Sequence, residues 1–178
     1  MTDQAPVVWL TGLSSAGKTT IAELVMAQLA RAGKPAQWLD GDEIRRRLWS
    51  ELGFSAEARR ENIRRMAFMA GLLVRRGVFV VVSAITPYRD MRAELRREIP
   101  GYLEVFVKAP LGVCEARDVK GLYRRARTGE ICGMTGVDDP YEAPAAAEVE
   151  CRTDRETPEE SAAKVLAAVW DYAGRQAR

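Results

Sequence analysis

The stretch that decides the fold is Val7-Val-Trp-Leu-Thr11 followed by Gly12-Leu-Ser-Ser-Ala-Gly-Lys18-Thr19. The first five residues form a short apolar run, which is typical of a buried strand. The next eight satisfy the pattern G-x-x-x-x-G-K-[ST] and run directly into a segment of helical periodicity over residues 19–32. A glycine-rich loop between a strand and a helix turns its backbone N–H groups toward one point, where the helix dipole also attracts an anion. The sequence therefore predicts a phosphate-binding loop.

This loop predicts a site for a nucleoside triphosphate with Mg²⁺. Lys18 is expected to bridge the terminal phosphates and the Thr19 hydroxyl to bind Mg²⁺. The alternative is a glycine-rich turn that only caps a helix, and both the spacing and the place of the motif argue against it. The predicted ATP-binding residues are Gly12, Ser14, Ser15, Ala16, Gly17, Lys18, Thr19 and Thr20.

Composition narrows the class of protein further. The 178 residues, 47% of them hydrophobic, fit one domain spanning 1–178. A net charge of +2 provides no general field for nucleic acid or a membrane surface, so neither is expected as a partner. Histidine is absent, which excludes Ser-His-Asp and Cys-His chemistry. Cys114, Cys132 and Cys151 lie far apart without a CxxC pair, and no signal peptide or long apolar run is seen, so a reducing cytoplasm is expected.

The rest of the chain alternates short apolar runs with helical patterns. Strands are predicted over 36–39, 78–82 and 102–107 and near Val149, and long helices are predicted from Ser55 to Arg76 and after the capping box of Thr157 and Glu160. Residues 111–127 read as helical with a break near Gly121, and Pro87 is expected to start another helix. This alternation predicts an α/β doubly wound fold with a mainly parallel sheet flanked by helices. Residues 128–147, rich in Gly, Pro and Asp, are predicted to form a mobile lid.

Two acids follow the second predicted strand, in Asp40-Gly-Asp42. A carboxylate there can orient an acceptor hydroxyl, accept its proton, or hold Mg²⁺ through water. Asp40 serves equally well as a helix cap, whereas Asp42 is less easily explained that way because caps rarely need two acids. Arg59 and Asn62 fall on one face of the long helix, which suits an anionic substrate.

Among phosphate-loop proteins, the sequence favours a small-metabolite kinase. The Asn-Lys-x-Asp motif with which GTPases read their base is missing, and Asp118-Val-Lys-Gly121 lies too late in the chain to replace a GTPase D-x-x-G motif. Motor ATPases are usually longer. A glycine-rich lid suits a kinase because it excludes water from the phosphate in transfer.

Motifs along most of the chain identify a family resemblance. They are the phosphate loop, Leu39-Asp-Gly-Asp42 with Arg45, Leu52-Gly-Phe-Ser55, Glu61-Asn-Ile-Arg-Arg65, Ser83-Ala-Ile-Thr-Pro-Tyr-Arg89, Cys114-Glu-Ala-Arg-Asp-Val-Lys-Gly-Leu-Tyr123, Thr135-Gly-Val-Asp138 and Asp139-Pro-Tyr-Glu-Ala-Pro144. Taken in this order, they resemble the adenylylsulfate (APS) kinase family. Those P-loop kinases use ATP to phosphorylate the 3′-hydroxyl of adenosine 5′-phosphosulfate (APS), which gives PAPS and activates sulfate for assimilation.

The resemblance implies a role for each matching residue. Lys18, Asp42 and Thr86 are the implied catalytic residues, and Thr19 and Asp42 the implied Mg²⁺ ligands, Asp42 also lying near the 3′-hydroxyl. The cationic and amide side chains hold the phosphosulfate, while Phe54 and Met134 of the lid enclose the adenine. It also implies a homodimer. The implied APS-binding residues are Asp42, Arg45, Phe54, Arg59, Asn62, Ile85, Thr86, Lys120, Gly133 and Met134.

The chain departs from the family pattern at three positions. Ser15 stands where the family usually has Gly, which predicts a less adaptable loop. Thr86 replaces a serine that some descriptions treat as a phosphorylated intermediate, although in-line transfer needs none. Met134 replaces a phenylalanine and stacks less well, which predicts weaker APS affinity or weaker substrate inhibition.

Two other functions remain open at this stage. One is a small-molecule kinase of the same fold that accepts a different adenylate or a sugar hydroxyl. The other is a catalytically silent nucleotide-binding subunit of a sulfate-activating complex. The presence of Lys18, Thr19 and Asp42 argues against the silent subunit, because a pure binding module needs no candidate base.

Overall fold

A computed structural model describes residues 5–176 of the chain and contains one parallel five-stranded sheet in the order β2-β3-β1-β4-β5. The strands are β1 Val7–Thr11, β2 Ala36–Asp40, β3 Phe79–Ser83, β4 Tyr102–Lys108 and β5 Val149–Arg152. The helices are α1 Lys18–Arg31, α2 Gly41–Leu48, α3 Ala56–Val74, α4 Arg89–Glu98, α5 Leu111–Arg117, α6 Leu122–Arg127 and α7 Pro158–Gln176.

The centre of the sheet is the core of the molecule. Every residue of β1 and β3 is buried, as both faces of a central parallel strand should be. α1 packs with α7, and α3 packs with α4. Because strand crossovers are right-handed, the reversal in strand order places these two helix pairs on opposite faces. The predicted doubly wound α/β fold is confirmed.

The helix signals in the sequence are confirmed within about two residues. The Ser55 hydroxyl accepts a hydrogen bond from Ala58 N at 3.2 Å and so caps α3. That helix ends before Gly77, whose φ of +76° favours glycine, and Val78 N closes the turn on Leu73 O. α4 begins at Arg89, two residues after the predicted start at Pro87.

Both reciprocal hydrogen bonds of the capping box at the start of α7 are formed. Thr157 N donates to the Glu160 carboxylate at 2.8 Å, and Glu160 N donates to the Thr157 hydroxyl at 3.2 Å. The predicted break near Gly121 is also present, between the end of α5 at Arg117 and the start of α6 at Leu122. The Asp118 carboxylate accepts from Tyr123 N and Arg124 N, each at 3.0 Å, so this aspartate caps the first turn of α6.

The reversal in strand order places the ends of β1 and β3 side by side, and ligands bind at such a crevice in open α/β sheets. Gly12 N donates to Ile85 O, and the Thr11 hydroxyl donates to the same carbonyl at 2.6 Å. The loops that follow β1 and β3 are therefore joined where the sequence places its candidate site. Within residues 5–176, none of the helices combines the length and apolarity that a membrane span requires.

Candidate active site

The phosphate loop has the conformation that its glycines predict. Gly17 has a φ of +109° at the start of α1. Gly12 has a φ of +153°, and a Cβ atom there would lie 2.3 Å from Val107 O of β4, so glycine is required. Ser15 has a φ of +58°, which is strained for a residue with a side chain. Its hydroxyl accepts from Val119 N at 3.3 Å, so the serine that departs from the family pattern ties the loop to the α5–α6 turn.

Lys18 turns back over the loop from the first turn of α1. Its Nζ donates to Gly12 O at 2.8 Å and to Leu13 O at 2.7 Å. Burial lowers the pKa of Lys18 to about 8, although the nearby Asp42 carboxylate acts in the opposite direction. The loop thus holds the Lys18 side chain where bound phosphate groups would stabilise its charged form.

A cavity of about 520 Å³ opens beside the phosphate loop, and we call it the nucleotide cavity. Its dimensions suit a small-molecule ligand. Gly12 and Ala16 do not line it, because one packs on Val107 and the other is fully buried. The predicted ATP-binding residues that do line it are Ser14, Ser15, Gly17, Lys18, Thr19 and Thr20.

Sequence reasoning missed Arg117 and Thr153 on the wall of this cavity. The Arg117 guanidinium donates to Thr153 O at 2.7 Å and to its hydroxyl at 3.1 Å. That hydroxyl donates to Ala16 O at 2.6 Å, so both residues brace the phosphate loop. About a hundred residues or more separate them from the loop, and the only signal for Arg117 was its place within a resemblance motif.

A second cavity, of about 310 Å³, lies on the other side of Asp42, and we call it the acceptor cavity. Lys120 is the predicted acceptor residue that does not line it; it lies on the nucleotide cavity and forms an ion pair with Asp42. The predicted residues that line the acceptor cavity are Asp42, Arg45, Phe54, Arg59, Asn62, Ile85, Thr86, Gly133 and Met134.

The two cavities share a wall formed by Asp42, Ala84, Ile85 and Leu122. Asp42 is the acid in this wall, and its side chain is 69% exposed. Asp40 lines the nucleotide cavity alone: it caps α2 by accepting from Asp42 N and Glu43 N, and it accepts from the Ser83 hydroxyl at 3.0 Å. The acid left open by sequence reasoning is thus the helix cap, and its neighbour faces both cavities.

Thr86 is held firmly at the floor of the acceptor cavity. It is 1% exposed, with a left-handed φ of +47°. Trp9 Nε1 donates to its hydroxyl at 2.8 Å, and Arg92 donates to its carbonyl at 2.6 Å. These partners hold a β-branched residue in a backbone conformation that it rarely adopts.

Two guanidinium groups line the acceptor cavity near Phe54. Arg45 lies 4.4 Å from the centre of the Phe54 ring, and its pKa is lowered by burial and then by the charge of Arg59. Arg59 donates to Phe54 O at 2.9 Å and forms an ion pair with Asp139 at 3.1 Å. It also donates to Gly133 O and to the Thr135 hydroxyl. Arg59 therefore joins the long helix to residues 133–139.

Residues 128–147 contain no helix or strand in the structure, and residues 131–135 of this segment line the acceptor cavity. Met134 is 8% exposed and lines the acceptor cavity. Gly136 packs so closely on Leu13 of the phosphate loop that an added Cβ would lie 2.9 Å from a Leu13 methyl. This segment touches the nucleotide loop as well as the acceptor cavity.

A phosphate loop at the head of a parallel sheet, facing a second cavity across a shared acid, defines a P-loop kinase. The sequence model described as Adenylylsulphate kinase matches residues 4–152. The chain belongs to this adenylylsulphate kinase family.

Relatives and solved structures give the same assignment. An adenylyl-sulfate kinase of Microcystis aeruginosa is 59% identical over 165 residues, which cover 93% of this chain and 91% of that one. The structure of the Mycobacterium tuberculosis APS kinase in complex with AMPPNP and APS matches with a TM-score of 0.88 at 42% identity, over 93% of this chain and 97% of that one. A hexameric APS kinase from Thiobacillus denitrificans matches with a TM-score of 0.72 at 29% identity, over 97% of this chain and 30% of that one.

Proposed function

We propose that this chain transfers the γ-phosphoryl group of ATP to the 3′-hydroxyl of APS, forming PAPS and ADP. The observation that carries the proposal is Asp42, an acid on the wall between a phosphate-loop cavity and a cavity lined by cations. Its family relatives bear the name adenylyl-sulfate kinase, and one solved relative contains an ATP analogue and APS in one complex. The proposed activity follows from this arrangement, in which one cavity holds ATP and the other holds the acceptor.

ATP is proposed to lie in the nucleotide cavity with its phosphates on the loop before α1. The backbone of Ser14, Ser15, Gly17 and Lys18 and the Thr19 and Thr20 hydroxyls supply donors for phosphate oxygens. Lys18 exchanges its two carbonyl partners for the β- and γ-phosphates and balances the charge that develops in transfer.

APS is proposed to lie in the acceptor cavity with its anionic end near Arg45, Arg59 and Asn62. Phe54, which is 68% exposed and already carries Arg45 on its ring, offers an aromatic surface for the adenine. Met134 covers this cavity from the lid, while the loop at Ile85 and Thr86 forms its floor. The 3′-hydroxyl then reaches the shared wall.

Asp42 orients the 3′-hydroxyl and accepts its proton as the hydroxyl oxygen attacks the γ-phosphorus. A new O–P bond forms while the bond to the β-phosphate oxygen breaks, and ADP leaves. Lys120 pairs with Asp42 and holds its carboxylate at the wall. No histidine exists in the chain to take this role.

Mg²⁺ bound with ATP fits the oxygen donors that this site offers. The Thr19 hydroxyl and the Asp42 carboxylate both line the nucleotide cavity. Within residues 5–176, no group of three or more acidic, cysteine or histidine side chains is arranged to hold a metal ion, which agrees with an ion carried mainly by phosphates and water. When bound, the ion neutralises charge on the β- and γ-phosphates.

We propose that residues 128–147 act as a lid and that the chain works as one domain over residues 1–178. Arg59 holds the middle of the lid, and Gly136 seats it on the phosphate loop. Closure would exclude water from the γ-phosphate, which limits wasteful hydrolysis. We also propose a homodimer, as the family resemblance implies, in the cytoplasm, where a reducing environment keeps the thiols of Cys114, Cys132 and Cys151 free.

The test is ADP formation by the purified chain with ATP and Mg²⁺, measured with and without APS. ADP release that depends on APS, with PAPS identified as the product, is the expected result. Release that depends on another adenylate or a sugar alcohol would instead identify a different kinase. Silence with every acceptor, despite ATP binding, would identify a nucleotide-binding subunit.

A further inference from the structure

Trp49 and Asn62 form a buried hydrogen bond at the edge of the acceptor cavity. Trp49 Nε1 donates to Asn62 Oδ1 at 2.6 Å. Trp49 is 7% exposed and Asn62 is 8% exposed, and Asn62 lines the cavity. Trp49 directly follows α2, whereas Asn62 lies in the second turn of α3, so the bond also joins these two helices.

The chemistry of the indole decides which way the Asn62 amide faces. An indole N–H can only donate, so the atom that it contacts has to be the amide oxygen. The amide nitrogen lies 3.9 Å from Met66 Sδ, a weak acceptor that can engage one of its two N–H groups. What remains for a ligand is an N–H donor.

We propose that Trp49 is a positioning residue for the acceptor: by holding the Asn62 carbonyl, it makes Asn62 present an N–H donor to the anionic oxygens of the substrate. This inference rests on the proposed function. The cations that line the same cavity, Arg45, Arg59 and Arg125, are also pure donors. A carbonyl turned into this set would repel the phosphosulfate, and an amide without a fixed partner adopts both orientations.

The surroundings of Trp49 keep the indole in place. Its backbone N–H donates to Arg45 O at 3.3 Å, and its carbonyl accepts from Leu52 N at 3.1 Å. The Arg65 guanidinium lies 5.5 Å from the ring centre and forms ion pairs with Glu61 and Glu51 on either side. The donor that fixes Asn62 is therefore itself fixed between the two helices.

The main test is Trp49→Phe, which keeps an aromatic ring but removes the donor. We expect KM and Kd for APS to rise by about five- to tenfold, the effect of one hydrogen bond. KM for ATP and kcat should stay within about twofold. The matched control is Trp170→Phe on α7, a substitution of the same kind far from both cavities, which should change none of these values.

A second variant guards against a simple folding defect. In Asn62→Asp, a carboxylate oxygen still accepts from Trp49, so the buried bond survives while a second oxygen replaces the donor at the cavity. Kd for APS should rise more than in Trp49→Phe, measured on protein that circular dichroism shows to be folded. Unchanged APS binding in a folded Trp49→Phe protein would overturn the inference, as would equal losses for ATP and APS.

One measurement separates this inference from the proposed function. If the wild-type chain forms no ADP with APS, the proposed function is wrong. The orientation of Asn62 is still read from the Trp49 Nε1–H resonance, which should move in Asn62→Ala and exchange faster with solvent. A resonance that does not respond to Asn62→Ala would overturn the inference whatever the activity.

Discussion

Asp40 and Asp42 are two residues apart, and the helix that begins between them gives them different tasks. The Asp40 carboxylate accepts hydrogen bonds from backbone N–H groups at the start of α2 and from the Ser83 hydroxyl. Asp42, inside the first turn, has its side chain largely in solvent and ion-paired with Lys120. Both acids line the nucleotide cavity, but only Asp42 also lines the acceptor cavity.

Asp42→Asn keeps the shape and a hydrogen-bonding group but removes the proposed base. We expect turnover to fall by roughly 10²–10⁴, the usual contribution of a general base. ATP affinity should survive because it depends on the loop around Lys18. Steady-state rates together with the Kd values for ATP and APS check this expectation.

The control for that variant is Glu43→Gln, which neutralises the adjacent acid. Glu43 is exposed and pairs with Arg47 one turn along α2, so its loss should leave turnover unchanged. If Asp42→Asn stays within a few-fold of wild type, Asp42 is not the base.

Lys18 gives the site a measurable pH dependence. Its pKa of about 8 lies below the ordinary 10.5, so the unfolded chain binds more protons between these values. The stability of the protein therefore gains from Lys18 as pH rises from about 8 to 10.5. Bound phosphates favour the charged form, so binding of MgATP at pH 8 should take up about half a proton.

Calorimetry in two buffers of different ionisation enthalpy measures that proton uptake. Lys18→Arg stays charged at this pH and should show none. Equal uptake in the two proteins would mean that the proton goes to another group.

Thr86 tests whether transfer is direct. Its hydroxyl is buried and accepts from Trp9 Nε1, so it is poorly placed to attack ATP. Thr86→Ala should weaken the use of APS by several-fold but leave measurable turnover, and Thr86→Ser should resemble wild type. Protein incubated with γ-labelled ATP alone should carry no label on Thr86; label that passes to APS on its addition would establish the intermediate.

At the scale of elements, the lid is held by contacts rather than by regular structure. Arg59 reaches it from α3, and the Glu142 carboxylate near its far end accepts from Arg89 N of α4 at 2.7 Å. The glycine and aspartate content of 128–147 predicts an irregular segment. Which helix would hold it was not predictable, because Arg59 and Asp139 are eighty residues apart.

Asp139→Asn should loosen the lid by removing its ion pair with Arg59. Amide hydrogen exchange in peptides covering 128–147 should become faster, and KM for APS should change more than KM for ATP. Asp171→Asn, which removes an exposed pair with Arg175 on α7, is the control and should leave lid exchange unchanged. Exchange that is equal in all three proteins would mean that the ion pair does not hold the lid.

At the scale of the whole molecule, Arg92 of α4 connects the sheet, the acceptor loop and the base of the lid. It is 2% exposed and pairs with Glu104 of β4 at 2.8 Å. It also donates to the carbonyls of Thr86 and Glu142. Through this buried ion pair and these two carbonyl acceptors, Arg92 holds the sheet, the acceptor loop and the base of the lid together.

Arg92→Met should lower the free energy of unfolding by about 3 kcal/mol, near the lower end for a broken buried pair, because Arg96 still neutralises Glu104 at 3.1 Å. Urea denaturation measures this loss. Arg97→Met, exposed on the same helix, should stay within about 0.5 kcal/mol of wild type. A similar loss in both variants would place the effect in the helix rather than in the pair.

The features that could be predicted from the sequence are those that depend on residues close together in the chain. The phosphate loop, the strand at 78–82 and the cap at Thr157 were predictable because each depends on neighbours within a few residues. The bonds from Arg117 to Thr153 and from Trp49 to Asn62 were not, since they depend on how distant segments meet. Lys120 was assigned to the acceptor pocket by resemblance, and its side chain instead reaches the wall from the nucleotide side.

The wall shared by the two cavities has a consequence for inhibitors. Asp42, Ala84, Ile85 and Leu122 border both cavities, so we expect that a tether of a few phosphates can join two adenosine halves, one in each cavity. Once one half of such a molecule is bound, the other faces its own cavity at an effective concentration in the millimolar range or above. A molecule whose separate halves bind weakly can therefore inhibit tightly and selectively. The tether length that gives the tightest inhibition then measures the distance over which the phosphate is transferred.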